Sequence, residues 1–291
     1  MAAKSPFGNG FRPKIRQLGL LNSAHSGLNS SLSATMRGWD TERGVNNMVN
    51  GPDRGLGSRT VQGGYARSQA AEIDAGLRAH MQKVYAYMGG GLALTGIVSY
   101  FIGSNEALMV SIWSSPLRWV AIFAPLGVAM LFGFRIQAMR AVTAQALFWG
   151  YAALMGISLS IIFAVYTDAS IVKTFFVTAA TFMAVSLYGY TTKKDLSGMG
   201  TFLFMGAIGL FIAMIVNMFL QSSALDFAIS AIGVLVFTGL AAYDTQKIKE
   251  FYWEADGHEV ATKKSILGAF ALYTDFINLF LFMLRFLGNR E

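Results

Sequence analysis

From residue 83 onward the chain alternates between long apolar runs and short polar breaks. The runs fall at 83–103, 117–134, 142–166, 171–191, 200–220, 225–245 and 266–287. Each is close to the roughly 20 apolar residues that a helix needs to cross a bilayer's hydrocarbon core. The pattern predicts an all-α membrane protein with seven transmembrane helices. Before the first run, "SQAAEIDAGLRAHMQKVYAYM" reads as a charged amphipathic helix entering the membrane. Most breaks are short turns such as "TTKKDLSGMG" at 191–200, and the stretch from Lys247 to Lys264 reads as the one long loop. That loop carries Glu254, Asp256 and Glu259 and is expected to be solvated. Ala152, Gly156 and Ser160, small residues spaced by four, mark a face where helices approach closely.

Residues 1–66 differ in kind. They are rich in Gly, Ser, Asn and Arg, and no acidic residue precedes Asp40. Such a segment buries too little apolar surface to offset its ordering entropy, so a disordered basic tail is expected, followed by the membrane domain at 67–291. An Arg-rich, acid-poor leader also fits a transit peptide over 1–36, which would place the protein in an organellar membrane. A third reading starts the chain at Met36 or Met48. No apolar signal segment precedes the first run.

Composition sharpens the class. Hydrophobic residues make up 54% and charged residues 13%, about half the share of a soluble domain; mean hydropathy is +0.47. Cysteine is absent, and His25, His80 and His258 are scattered, so disulfides, thiolate chemistry and a zinc site are not expected. The net charge of +7 reads as basic loops and tail rather than a nucleic-acid surface. Orientation follows from the same charges. With the N-terminus inside, the inner loops hold Arg135, Arg140, Lys193, Lys194, Lys247, Lys249, Lys263 and Lys264, against Arg118 and Lys173 outside. Arg285 and Arg290 then lie on the outer side, against the rule, so the seventh run either spans or enters and returns.

Two acids interrupt this apolar background. Asp244 closes the sixth run and Asp275 lies within the seventh. Asp275 is 11 residues from Lys264, about 16 Å along a helix and too deep to reach the interface. Asp275, Asn278, Phe282 and Arg285 share one helical face, which should turn toward the bundle interior or water. Two carboxylates in a low-dielectric site cannot both ionise cheaply, and such a pair titrates as a unit. That chemistry fits proton-gated cation movement, with transient Ca²⁺ contact at Asp244 and Asp275. It also fits a proton-sharing aspartyl protease.

The segments "GLAAYDTQKIK" at 239–249, "ALYTDFINLFLFMLRFLG" at 271–288 and "LYGYTTKKDLSGMG" at 187–200 resemble the Bax inhibitor-1 family, most closely its bacterial members. The resemblance covers about 75–288. It implies a seven-helix bundle with the seventh helix central, and a pH-sensitive Ca²⁺ leak across the bacterial inner membrane with no bound cofactor. It also implies that Asp244 and Asp275 are the family's proton-sharing pair, with an arginine, here Arg135 or Arg140, competing for one carboxylate. Two alternatives stand beside the channel. One is a regulator that binds and modulates a membrane-bound protease. The other, an intramembrane aspartyl protease, lacks its glycine-bearing turn: Leu272-Tyr273-Thr274 precedes Asp275 where G-x-G is needed. The chain is therefore expected not to be an enzyme.

Overall fold

The computed structural model describes residues 56–289, with side chains from Asp74. The expectations for residues 1–55, the targeting segment included, lie outside the described residues. The unit Thr60–Glu291 holds the membrane domain. Its helices are α1 (Leu56–Gly103), α2 (Glu106–Trp113), α3 (Leu117–Arg135), α4 (Ala141–Leu159), α5 (Asp168–Thr191), α6 (Ser197–Leu220), α7 (Ser223–Glu250) and α8 (His258–Leu287). Seven of these, all but α2, are long and apolar enough to cross a membrane. The seven apolar runs thus map one to one onto spans.

Local chemistry sets several boundaries. Asn105, Thr167 and Ser222 each accept a hydrogen bond from the backbone N–H three residues on, capping α2, α5 and α7. Gln221 takes a left-handed conformation at φ 51° and ends α6, so α6 and α7 meet in a tight turn.

Four features depart from the sequence expectation, and a fifth decides between two alternatives it left open. The short helix α2 fills what read as a plain break. α1 begins at Leu56, inside the stretch expected to be tail; no proline lies between Pro52 and the first span to stop the helix there. The long loop shrinks to residues 251–257, since α7 and α8 continue past the apolar limits. Their lysines lie along the helix ends, with Lys247 over the rings of Tyr243 and Phe251 and Lys249 donating to the Tyr190 carbonyl. Asp256 in that loop is salt-bridged to Lys264 rather than simply solvated. Finally, α8 is one unbroken helix of 30 residues, which rules out a segment that turns back.

Packing converges on α8. Of its apolar window 67% is buried, against 11% for α6, and it packs on α4, α5 and α7. The side chains of Leu272, Tyr273 and Leu279 are completely enclosed. The Tyr273 hydroxyl lies 2.6 Å from Thr95 Oγ1, which also donates to the Ala152 carbonyl at 2.8 Å, tying α8, α1 and α4 together. Ala152, Gly156 and Ser160 are all buried, and a Cβ on Gly156 would lie 2.8 Å from the Thr95 carbonyl. The small-residue face is therefore a packing surface. Polar links join α1, α5 and α7 as well: Tyr85 to Ser186 at 2.6 Å, then Ser186 to Thr245 at 2.9 Å.

Candidate functional site

Asp244 sits on α7 two turns before its end, and Asp275 sits in the middle of α8. The tight α7–α8 packing brings the two carboxyls within hydrogen-bonding reach of each other. Asp275 is 5% exposed; Asp244 is half-buried. Among the described residues, no N–H or O–H donor reaches the buried Oδ2 of Asp275. A buried carboxylate oxygen without a donor costs on the order of 1–3 kcal/mol or more. A proton shared with Asp244, or a donor on a bound molecule, would supply what this oxygen lacks.

What positions Asp244 is the motif around it. Gly189, in "LYGY", lets α5 come so close to α7 that an added Cβ would fall 2.2 Å from the carbonyl oxygen of Ala242. Thr245 turns its hydroxyl back to the Ala241 carbonyl at 2.7 Å and toward Ser186. Gln246 accepts from the Leu196 N–H and donates to the Lys194 carbonyl, both at 2.8 Å. The 192–196 turn is therefore stitched to α7 directly beside the acid. At that turn the Ser197 N–H donates to Asp195 and holds its carboxyl below the usual aspartate range.

The pair opens onto a cavity of about 620 Å³ lined by α1, α6, α7, α8 and Phe251. It reaches from Asp275 to the basic end of the bundle, where His80, Lys247 and Lys264 line it. Along α8 that is 11 residues, or about 16 Å. Most of its wall is carbon, including Phe204, Phe237, Tyr243 and Phe270. Thr201 and Phe204 are exposed, so the cavity is not sealed.

The other residues singled out from the sequence lie elsewhere. Asn278 donates to the Thr274 carbonyl of its own helix at 2.9 Å. Phe282 stacks on Phe237 at 5.5 Å. Arg285 pairs with Asp226 at the start of α7, at 2.8 Å. The shared face is thus real as a helical register but is divided among three environments. The pair with Asp226 also accounts for an arginine at the end opposite the basic loops. Arg135 and Arg140 are exposed, and neither is ion-paired among the described residues. The cation beside the pair is instead Lys247, one turn on from Asp244 and electrostatically coupled to it. The i, i+3 spacing of Asp244 and Lys247 in "YDTQK" is the sequence signal for this neighbour. His80, one of the three histidines scattered along the sequence, lines the same cavity. Its Nδ1 lies 3.2 Å from Ser265 Oγ, and its buried Nε2 has no partner among the described residues.

As a resident metal site the arrangement is poor. Among the described residues no three His, Asp or Glu side chains come together, whereas Ca²⁺ takes six to eight oxygens. Two carboxyls permit a passing contact with a cation that keeps its water.

The helices and the acid pair define a polytopic α-helical membrane protein with paired carboxyls between its last two spans. The chain belongs to the Bax inhibitor-like family: the family model described as "Inhibitor of apoptosis-promoting Bax1" matches residues 77–291. A protein of Rickettsia prowazekii is 50% identical over 224 residues, covering 77% of this chain and 95% of that one. The inner membrane protein YbhL of Escherichia coli K12 is 48% identical over 220 residues, covering 75% and 94%. A Caulobacter vibrioides protein is 45% identical over 244 residues, covering 78% and 98%.

Proposed function

We propose that the chain is a pH-sensitive, Ca²⁺-permeable leak of a bacterial inner membrane, gated by the proton shared between Asp244 and Asp275. The observation that carries this reading is the meeting of two carboxyls on neighbouring helices, with a cavity leading from them to the basic end. With one proton the pair is a hydrogen bond that ties α7 to α8. With none it is two like charges. Two unit charges about 4 Å apart at an effective dielectric near 20 repel by roughly 4 kcal/mol. A change of that size biases a two-state arrangement about a thousandfold, enough to open and close a path. Lys247 moderates the repulsion from the cavity side. In this reading the positive-inside rule turns the basic end, the cavity mouth and the N-terminus toward the cytoplasm, and the inner-membrane name of the Escherichia coli relative supports the choice of membrane.

Against aspartyl protease chemistry weighs the enclosure of Tyr273, fixed to Thr95, where a peptide substrate would have to pass. The regulatory reading, a partner of a membrane-bound protease, remains the alternative outcome of the test. Purified protein is reconstituted in liposomes holding a Ca²⁺ dye, and influx is read from about pH 6 to about pH 8. Flux that changes with pH in the wild type and becomes pH-independent in Asp244→Asn/Asp275→Asn supports the gate. Background flux in both refutes the channel and favours the partner-binding role.

A further inference from the structure

The cavity beside the aspartate pair has the make-up of a small-molecule site. Its volume of about 620 Å³ lies within the range of about 300–1,000 Å³ usual for such pockets, which are mostly apolar with a few placed polar groups. Here the polar groups are the half-buried Asp244 and, beside it, Asp275, whose buried Oδ2 has no partner donor among the described residues. The walls are too poor in oxygen to replace the hydration shell of a metal ion. They suit an organic cation, because an aromatic face attracts an ammonium group within about 6 Å and does so more strongly when the site is dry.

One ammonium already sits there. Lys247 Nζ lies 5.4 Å from the centre of the Tyr243 ring and 5.6 Å from that of Phe251, with Asp244 as its carboxylate neighbour. These rings thus receive an ammonium in the geometry observed, close enough to Asp244 to act on it electrostatically and supplied by a flexible side chain that also reaches the bundle end. Lys264, the other lysine lining the cavity, is engaged by Asp256 and by the Phe251 carbonyl, so it does not compete for the pair.

We propose that this cavity binds an organic monoammonium compound with an aromatic or alkyl body, its charged head paired with Asp244 and Asp275 next to the rings that Lys247 now covers and its body against Phe237, Tyr243 and Phe270. Such a ligand is a resident rather than a permeant ion, and the proposal does not depend on the leak. Entry past the exposed Thr201 and Phe204 suits a molecule that partitions into lipid before it binds.

The probe is 2-phenylethylammonium, with 2-phenylethanol as its uncharged counterpart. Binding to the full chain in nanodiscs is measured by isothermal titration calorimetry against empty nanodiscs. Saturable binding of the amine is expected, with the alcohol at least about tenfold weaker. In Lys247→Met, which removes the tethered competitor, the amine is expected to bind several-fold tighter. In Asp244→Asn/Asp275→Asn its advantage over the alcohol should vanish. Absence of saturable amine binding overturns the proposal, as does equal binding of alcohol and amine by the wild type. So does unchanged or weaker amine binding in Lys247→Met. Because nothing is transported in this assay, amine binding in a protein with flat Ca²⁺ flux would uphold the site while refuting the channel.

Discussion

Gly189→Ala offers the sharpest test of how the acid pair is held. In the wild type the backbone of α5 rests directly on α7. A Cβ at position 189 would lie 2.2 Å from the Ala242 carbonyl oxygen, 2.9 Å from its carbon and 3.0 Å from its Cα. These are backbone atoms, so no rotamer change relieves the clash. Ordinary carbon–oxygen contact distance, about 3.3 Å, requires α7 to retreat by roughly 1 Å at the residue two places before Asp244. Overpacking of this kind costs about 1–3 kcal/mol, or roughly 2–10 °C in melting temperature for a domain of this size. Gly150→Ala provides the matched control. It too lies inside a spanning helix, yet nothing stands within 4 Å of its added Cβ, and alanine there should be neutral or stabilising by up to about 1 kcal/mol. Melting of both variants in detergent, followed by intrinsic fluorescence, separates the two. Displacement of Asp244 should also shift the pH profile of Ca²⁺ flux in Gly189→Ala alone. A Gly189→Ala protein as stable as the wild type, with an unmoved profile, would falsify the claim that this contact sets the position of the acid.

Gln246→Ala strips both hydrogen bonds from the 192–196 turn and leaves the buried Leu196 N–H without its acceptor; destabilisation of about 2–4 kcal/mol is expected, readable as a lowered melting temperature. Tyr273→Phe removes the hydroxyl that meets Thr95, and a loss of about 1 kcal/mol is expected because Thr95 keeps its bond to Ala152. Replacing Asp226 and Arg285 together by Asn and Gln should change stability by less than about 1 kcal/mol, since both are partly solvated, and should leave the pH dependence of flux intact. Asp195 supplies a pH signature outside the membrane. Its folded value lies below the ordinary 3.8, so its contribution is present above that value and is lost as pH falls through the lowered one. Asp195→Ala should therefore melt slightly below the wild type at neutral pH and together with it in acid.

The class and the span count were legible in the residues alone, and so was the presence of two acids in the last two apolar runs. Apolar runs near 20 residues are a consequence of bilayer thickness, and an aspartate within one is costly enough to stand out without any knowledge of its neighbours. The quoted motifs carried the family. Register along one helix was legible too, and Asp275, Asn278, Phe282 and Arg285 do follow one face.

What that face meets was decided by packing. Helical periodicity says which residues point the same way, whereas partners come from other helices far along the chain. Arg285 found Asp226, Phe282 found Phe237, and Asp275 found Asp244. Helix ends were misjudged for a related reason. Hydropathy marks where the apolar surface stops, but a helix continues while its backbone bonds are made and its lysines can lie back on aromatic rings, as Lys247 does on Tyr243 and Phe251. The cation next to the pair therefore came from the pair's own helix, while Arg135 and Arg140 are exposed. Only the assembled bundle, with Gly189 against Ala242 and Gln246 stitched to the neighbouring turn, fixes the two carboxyls at the inner end of one cavity.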